Sequence, residues 1–177
     1  MWPWGEIVAA CMVVLVFITT ILSGVSDYRS LRIPNAHSLI VIGAFLIAFA
    51  AAPDLFGSVW VHLSSALLVF TVTYLMFHFN VMGAGDTKLA SSLALWLGLK
   101  PLILFSFLIA LAGGVLGVVA LYVRRAKPFA APREGSWIAQ AQAGRSAVPY
   151  GIAIAVGFWV SFLHTAPIMI NWMKMFQ

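Results

Sequence analysis

Residues 102–123 read LILFSFLIALAGGVLGVVALYV and contain no charged side chain. A hydrocarbon core about 30 Å thick is crossed by roughly 20 apolar residues in an α-helix, so this stretch has the length and composition of a membrane span. Five similar runs fill most of the remaining chain, and none of the six holds an Asp, Glu or Arg. The sequence therefore predicts an all-α, polytopic membrane protein with about six transmembrane helices: Ile7 to Val25, Ala36 to Ala52, Val59 to Phe79, Thr87 to Leu99, Leu102 to Val123 and Val148 to Ile170.

The composition excludes a water-soluble domain of any size. Hydrophobic residues make up 63% of the 177 residues and charged residues 8%, whereas about a quarter of a globular domain is charged. No repeat or interdomain linker interrupts the apolar runs, so we expect residues 1–177 to form a single membrane-embedded domain. The one cysteine, Cys11, lies within the first run, which excludes an intrachain disulfide and a cysteine-based metal cluster.

The orientation in the membrane follows from the uneven distribution of basic residues between the loops on its two sides, because cytoplasmic loops are enriched in Lys and Arg. With the N-terminus outside, the inner side holds eight basic residues and the outer side only Lys100 and Lys174. The longest inner loop spans about 124–147, and its segment from Ser136 to Gln140 is predicted to form a short amphipathic helix along the interface. This topology and anionic membrane lipids explain the net charge of +5, so nucleic acid is not expected as a partner.

Two of the five acidic residues, Asp27 and Asp86, lie at the ends of predicted spans rather than in open loops. The second span runs outward and the third returns, so helix parity brings both acids to the cytoplasmic face. Two carboxylates a few ångströms apart cannot both ionise easily, and such a pair shares a proton near neutral pH. The ionised acid can take a proton from an attacking water while the protonated acid hydrogen-bonds the oxyanion. This placement points to amide hydrolysis without a metal.

Each candidate residue also has a structural interpretation. Asp86 lies in GAGDTKL (83–89), where the glycines allow a substrate strand to approach the backbone, but an aspartate here is also a favoured helix cap. Asp27 can mark a helix end before an extended turn at Pro34. Lys88 can lower the pKa of Asp86, pair with an acidic substrate side chain or extend to the interface. The histidines lack metal-site spacing and are predicted to be polar interface residues: His37, His62, His78 and His164.

Three short motifs resemble a known family in order and spacing. Asp27 followed by RIPN (32–35), and GAGD (83–86) followed by Lys88, resemble the type IV prepilin peptidases, which are GxGD-type aspartic intramembrane proteases. The later segment VPYGIAIA (148–155) is similar to the start of the sixth helix in the minimal, CpaA/TadV-like branch of tight-adherence (Flp) pilus systems. A lone GxGD recurs by chance, whereas its combination with an upstream Asp and IPN is specific.

The resemblance implies an aspartic endopeptidase of pilus biogenesis, with a prepilin or pseudopilin helix as its substrate. The leader would be cut at the cytoplasmic face of the bacterial inner membrane. Larger members carry paired CxxC motifs and N-methylate their product, and because this chain has no such motif we expect proteolysis without methylation, zinc, S-adenosylmethionine or another cofactor. The oligomeric state stays open, with a monomer favoured. The implied catalytic pair is Asp27 and Asp86, and the implied substrate-binding and active-site loop residues are Gly83, Gly85, Lys88, Pro34 and Asn35.

Two other functions are compatible with the same helices. A small transporter or proton-conducting protein would also carry ionisable residues at membrane depth, but its acids would face a path through the bilayer. A non-catalytic pilus-assembly scaffold would need no shared proton. Leader cleavage that is lost in an Asp86→Asn variant separates the peptidase from both, because neither alternative has cleavage to lose.

Overall fold

A computed structural model describes residues 4–144 and 148–165. Within these residues the chain is helical with short connections, and it contains no β-strand. The predicted all-α class is therefore confirmed. The helices of the described chain are α1 (Trp4–Ser30), α2 (Asn35–Ala51), α3 (Pro53–Phe56), α4 (Val59–His78), α5 (Ala84–Leu97), α6 (Leu102–Ala126), α7 (Trp137–Gln142) and α8 (Tyr150–Thr165).

Each of the six predicted spans coincides with a helix, although the helices differ in length. By length and composition α1, α4 and α6 can cross a bilayer, whereas α2 and α8, as described, are shorter apolar helices. The 14 residues of α5 make it only about 21 Å long. The last predicted span extends to Ile170, and its part beyond Thr165 lies outside the described residues. The number of six spans is therefore approximate.

The short helix α5 lies at the centre of the bundle. It packs against α2, α4 and α8, and nearly every residue from Asp86 to Leu97 is buried. Because neighbouring helices cover most of its surface, α5 needs no broad lipid-facing stripe and does not have to match the bilayer thickness. It ends before Gly98, whose φ of 69° is a conformation that favours glycine.

The helices α1, α2, α5 and α8 form a ring in which each helix contacts the next. Outside this ring, α4 packs on α5 and α6 packs on α8. Indole groups tie the ring together: Trp159 Nε1 donates to Thr20 Oγ1 at 2.8 Å, and Trp96 Nε1 donates to the Val41 carbonyl at 3.2 Å. Hydrogen bonds of this kind fix the relative positions of helices inside a membrane.

One histidine is placed differently from the prediction. His62 was expected at a polar interface, but only 6% of it is exposed, and it joins α4 to its neighbours. Its Nδ1 lies 2.5 Å from the Leu95 carbonyl oxygen of α5, and its Nε2 lies 3.0 Å from that of Phe56. Ser65, one turn further along α4, donates to the Ala94 carbonyl at 2.7 Å. These polar contacts hold α4 against the outer side of α5.

The predicted helix in the long loop is present as α7, and it packs against α6. Ser136 caps α7, and only 6% of Trp137 is exposed because the indole packs against Ala120 and Val123 of α6. The helix α6 continues to Ala126, so it includes the first residues of the predicted loop, and residues 145–147 lie outside the described chain.

Candidate active site

Asp27 lies near the end of α1, where its side chain faces the first turn of α8. Only 4% of Asp27 is exposed, and its Oδ2 accepts a hydrogen bond from the Gly151 N–H at 2.7 Å. A Cβ atom at residue 151 would lie 3.0 Å from the same oxygen, so glycine lets the backbone of α8 approach the carboxylate. A backbone N–H donor favours the ionised form of a carboxylate.

The turn after Asp27 is fixed by local hydrogen bonds. The Leu31 N–H donates to the Asp27 carbonyl at 2.8 Å, and Ser26 Oγ donates to the Arg32 carbonyl at 2.7 Å. Pro34 then adopts the predicted extended conformation, with φ −60° and ψ 138°, directly before α2. The turn therefore brings the start of α2 back to the end of α1 that carries Asp27.

Asp86 lies in the first turn of α5 and is buried. Its Oδ2 accepts a hydrogen bond from the Gly83 N–H at 3.2 Å, so the helix-cap interpretation is correct for this oxygen. Its Oδ1 is buried and has no hydrogen-bond partner within residues 4–144 and 148–165. Burying a polar atom that makes no hydrogen bond costs free energy, unless the atom forms a hydrogen bond with a bound ligand or with water. Capping therefore does not account for the whole carboxyl group.

The two acids line one cavity of about 570 Å³, which we call the acidic cavity. Its walls come from the last residues of α1, the turn between α1 and α2, the first residue of α2, and residues 83–86. The structure thus brings the two acids to the same end of the bundle, as helix parity predicts. Of the predicted site residues, only Lys88 does not line the acidic cavity; those that do are Asp27, Pro34, Asn35, Gly83, Gly85 and Asp86.

The two glycines of the GAGD motif allow close packing inside the site. A Cβ atom at residue 83 would lie 2.8 Å from Asp86 Oδ2. A Cβ atom at residue 85 would lie 3.1 Å from Ile33 Cβ and 3.3 Å from the Ile33 carbonyl oxygen. Glycine at position 85 therefore lets the start of α5 approach the turn that follows Asp27, and glycine at position 83 leaves room for the Asp86 carboxyl group. Both effects come in addition to the predicted exposure of backbone to a substrate.

The electrostatic environments of the two acids differ. Asp86 lies just ahead of the apolar run that begins at Thr87. Burial raises the pKa of the Asp86 carboxyl above the usual aspartate value, the nearby Asp27 carboxylate raises it further, and the Gly83 N–H lowers it by a smaller amount. Both carboxyl groups are buried, but the Gly151 N–H lies 2.7 Å from Asp27 Oδ2 and the Gly83 N–H lies 3.2 Å from Asp86 Oδ2, and only Asp86 is further affected by the charge of the other acid. Asp86 is therefore the acid of the pair better suited to hold a proton, although burial also opposes the negative charge on Asp27.

Lys88 points toward α2 rather than toward the acids. Its Nζ donates to Asn35 Oδ1 at 2.9 Å, and it forms no ion pair with any residue of the described chain. The groups that shift the pKa of Asp86 are those named above, and Lys88 is not among them. Lys88 thus links α5 to the first residue of α2 at the edge of the acidic cavity.

Sequence reasoning missed two residues of the site, Gly151 and Ile33. Gly151 stands in the VPYGIAIA segment, but nothing local shows that its N–H reaches an acid 124 positions earlier. Ile33 reads as an ordinary apolar residue, although it packs against the position of Gly85 and lies 3.1 Å from where a Cβ of Gly151 would be. Both contacts depend on how α1, α5 and α8 are packed together.

A bundle of apolar helices with two buried carboxyl groups in one cavity defines a helical membrane protein with an acid pair suited to hydrolysis. Residues 13–118, more than half of the chain, match the sequence model of the Type IV leader peptidase family. The chain belongs to this family, and membership implies peptidase activity. The comparisons with curated proteins and with solved structures gave no significant match. The matched range contains Asp27 and Asp86 but ends before Gly151.

Proposed function

We propose that this protein is an aspartic endopeptidase that removes the leader from prepilins or pseudopilins of the tight-adherence (Flp) type at the cytoplasmic face of the membrane. Family membership supports the peptidase class. The observation that carries the aspartic assignment is the acidic cavity, in which Asp86 keeps one buried oxygen without a partner among the described residues, next to the Asp27 carboxylate. In the proposed reaction Asp27 and Asp86 are the catalytic pair.

Their environments assign a separate role to each acid. Asp27, held by the Gly151 N–H, accepts a proton from a water molecule as the water oxygen bonds to the scissile carbonyl carbon. Asp86, whose carboxyl retains its proton, donates a hydrogen bond from Oδ1 to the developing oxyanion. The C–N bond then breaks, and the leaving amine takes up the proton that Asp27 accepted. Neither step requires a metal.

The proposed side of cleavage rests on the distribution of charge. With the N-terminus outside, eight basic residues fall on the face that also carries the acidic cavity. In a prepilin whose leader lies in the cytoplasm and whose apolar helix lies in the membrane, the junction between the two would lie at the cytoplasmic boundary of the membrane. The acidic cavity is expected at the same boundary. The substrate class and the location of the site are therefore mutually consistent.

Co-expression with a prepilin tests the proposal. We expect the pilin to shift in mass from the precursor to the mature form when the wild-type chain is present, and to keep the precursor mass when the Asp86→Asn variant replaces it. Intact-mass spectrometry of the membrane fraction measures both. A pilin that stays unprocessed with the wild-type chain would favour a transporter or scaffold role, and equal processing by both chains would exclude Asp86 from the chemistry.

The pH dependence of cleavage should be bell-shaped. Because the pKa of Asp86 is raised, its proton persists toward neutral pH, and kcat/KM should fall as the pH rises and that proton is lost. At low pH, protonation of both acids removes the base. Initial rates from about pH 5 to about pH 9, with helix content followed by circular dichroism, measure the profile. A rate that stays constant across the alkaline half would contradict a protonated Asp86.

A further inference from the structure

We propose that the apolar helix of the substrate docks in a groove between α2 and α4 that has α5 as its floor. This inference rests on the proposed leader peptidase function and identifies how a membrane-embedded substrate reaches the acids. The groove, which we call the lateral groove, has a volume of about 600 Å³ and is lined by residues within 35–42 of α2, 66–70 of α4 and 88–95 of α5.

The lateral groove begins where the acidic cavity ends. Asn35 lines both spaces, and both α2 and α5 start at the acidic cavity and run away from it. From Asn35 to Ile42, and from Lys88 to Leu95, the groove follows eight residues of each helix, a rise of about 10 Å. An apolar helix lying in it would therefore point one end at Asp27 and Asp86.

The residues that line the groove are of the types that pack against one face of an apolar helix. Its rim carries large side chains open to lipid, including Leu39 and Leu67 with 67% and 66% of their surface exposed. Its floor is built of small residues such as Ser91 and Ser92, which let another backbone approach closely. The Ser38 Oγ is buried beside the groove and has no hydrogen-bond partner in the described part of the chain. It offers a polar contact to a helix in the groove.

The hydrogen bond between Lys88 Nζ and Asn35 Oδ1 crosses the junction of the two spaces. It joins α5 to α2 where the substrate would change from a helix in the groove to an extended strand in the acidic cavity. A peptide bond inside a helix is shielded by its own hydrogen bonds, so this change is needed before water can attack it. The pair therefore marks the point at which the scissile segment leaves the groove.

A second groove on the other side of α4 is less suitable. It lies between α4 and α6, has a volume of about 350 Å³ and shares no lining residue with the acidic cavity. Tyr150 also lines this groove, and its ring packs on α6 so closely that a Cβ atom on Gly113 would lie 2.8 Å from Tyr150 Cε1. A helix in this groove would contact no residue that also lines the acidic cavity.

Cysteine cross-linking distinguishes the two grooves, because neighbouring residues of α4 face different ones. Leu67 lines the lateral groove and Leu68 lines the second groove, and both are lipid-exposed. Each is replaced separately, as Leu67→Cys or Leu68→Cys, in a Cys11→Ser background and oxidised with a prepilin that carries a single cysteine in its apolar helix. We expect at least tenfold more disulfide-linked product with Leu67→Cys.

The outcomes separate this inference from the proposed function. Cleavage of the prepilin by the Cys11→Ser protein is measured first, and its absence would overturn both. If cleavage is normal but Leu68→Cys cross-links more, or the two variants cross-link equally or not at all, the lateral groove is not the docking site and the peptidase function stands.

Filling the groove provides a second test. Ala66 lines the lateral groove, and Ala110 of α6 lines the second groove. Ala66→Trp should raise KM for the prepilin about fivefold with little change in kcat, because it blocks binding and leaves the acids untouched, whereas Ala110→Trp should retain wild-type kinetics. A larger rise in KM for Ala110→Trp than for Ala66→Trp would contradict the proposal.

Discussion

Replacing either acid by the matching amide should remove prepilin cleavage. For Asp86→Asn and Asp27→Asn separately, we expect kcat/KM to fall at least about 1,000-fold, because each change removes a proton donor or acceptor from the reacting atoms while keeping the volume of the side chain. The amide can still accept the Gly83 or Gly151 N–H through its carbonyl oxygen, so the local backbone contacts are kept. Initial rates with a purified prepilin in liposomes provide the measurement.

Asp54 is a matched control for these substitutions. It lies exposed in α3, at the connection between α2 and α4, and does not line the acidic cavity. Asp54→Asn should cleave at the wild-type rate, and all three variants should extract from membranes and elute as the wild-type chain does. Cleavage by Asp86→Asn within tenfold of wild type would show that its carboxyl group does not take part in the reaction.

The second large effect is expected at Gly151, which touches Asp27 through its backbone. Gly151→Ala places a Cβ atom 3.0 Å from Asp27 Oδ2 and 3.1 Å from Ile33 Cδ1, so the carboxylate has to move by a few tenths of an ångström. Small displacements of a catalytic group cost up to about 100-fold, and we expect kcat/KM to fall about 10- to 100-fold. The loss should appear mainly in kcat, because the lateral groove is unchanged.

Gly24 provides the control for an added methyl group at the same helix pair. It faces α8 from α1, but a Cβ atom there would lie 3.6 Å from Ile152 Cγ1, which is an ordinary contact. Gly24→Ala should therefore keep wild-type kinetics. If Gly151→Ala were as active as Gly24→Ala, the contact between α8 and Asp27 would have no role in positioning the carboxylate.

The helices were predictable because hydrophobic length dominates their formation in a membrane. The apolar run from Thr87 to Leu99 predicted the location of α5, but the helix starts earlier, at Ala84. This start was missed because Gly85 and Asp86 are typical of a loop when their contacts in the fold are not known. The meeting of Asp27 and Asp86 followed from the parity of the spans alone. The parity of the spans is a property of the chain order, which the sequence contains.

Other features depend on packing that no local pattern reveals. The amphipathic pattern of α7 shows an apolar face but does not distinguish lipid from protein, and Trp137 covers α6. His62 is buried because the carbonyl of Leu95 meets its ring across the contact between α4 and α5. The Gly151 N–H reaches Asp27 because α8 packs against α1. In each case the partner lies on another helix, far away in the sequence.

The account depends on Asp27 and Asp86 holding one proton between them, and infrared difference spectroscopy measures this directly. Between neutral and alkaline pH, the wild-type protein should lose the carbonyl band of one protonated carboxyl group, since the pKa of Asp86 is raised. The band should be absent from Asp86→Asn and unchanged in Asp54→Asn. A wild-type protein with no protonated carboxyl near neutral pH, or the same band in Asp86→Asn, would contradict the proposed acid pair.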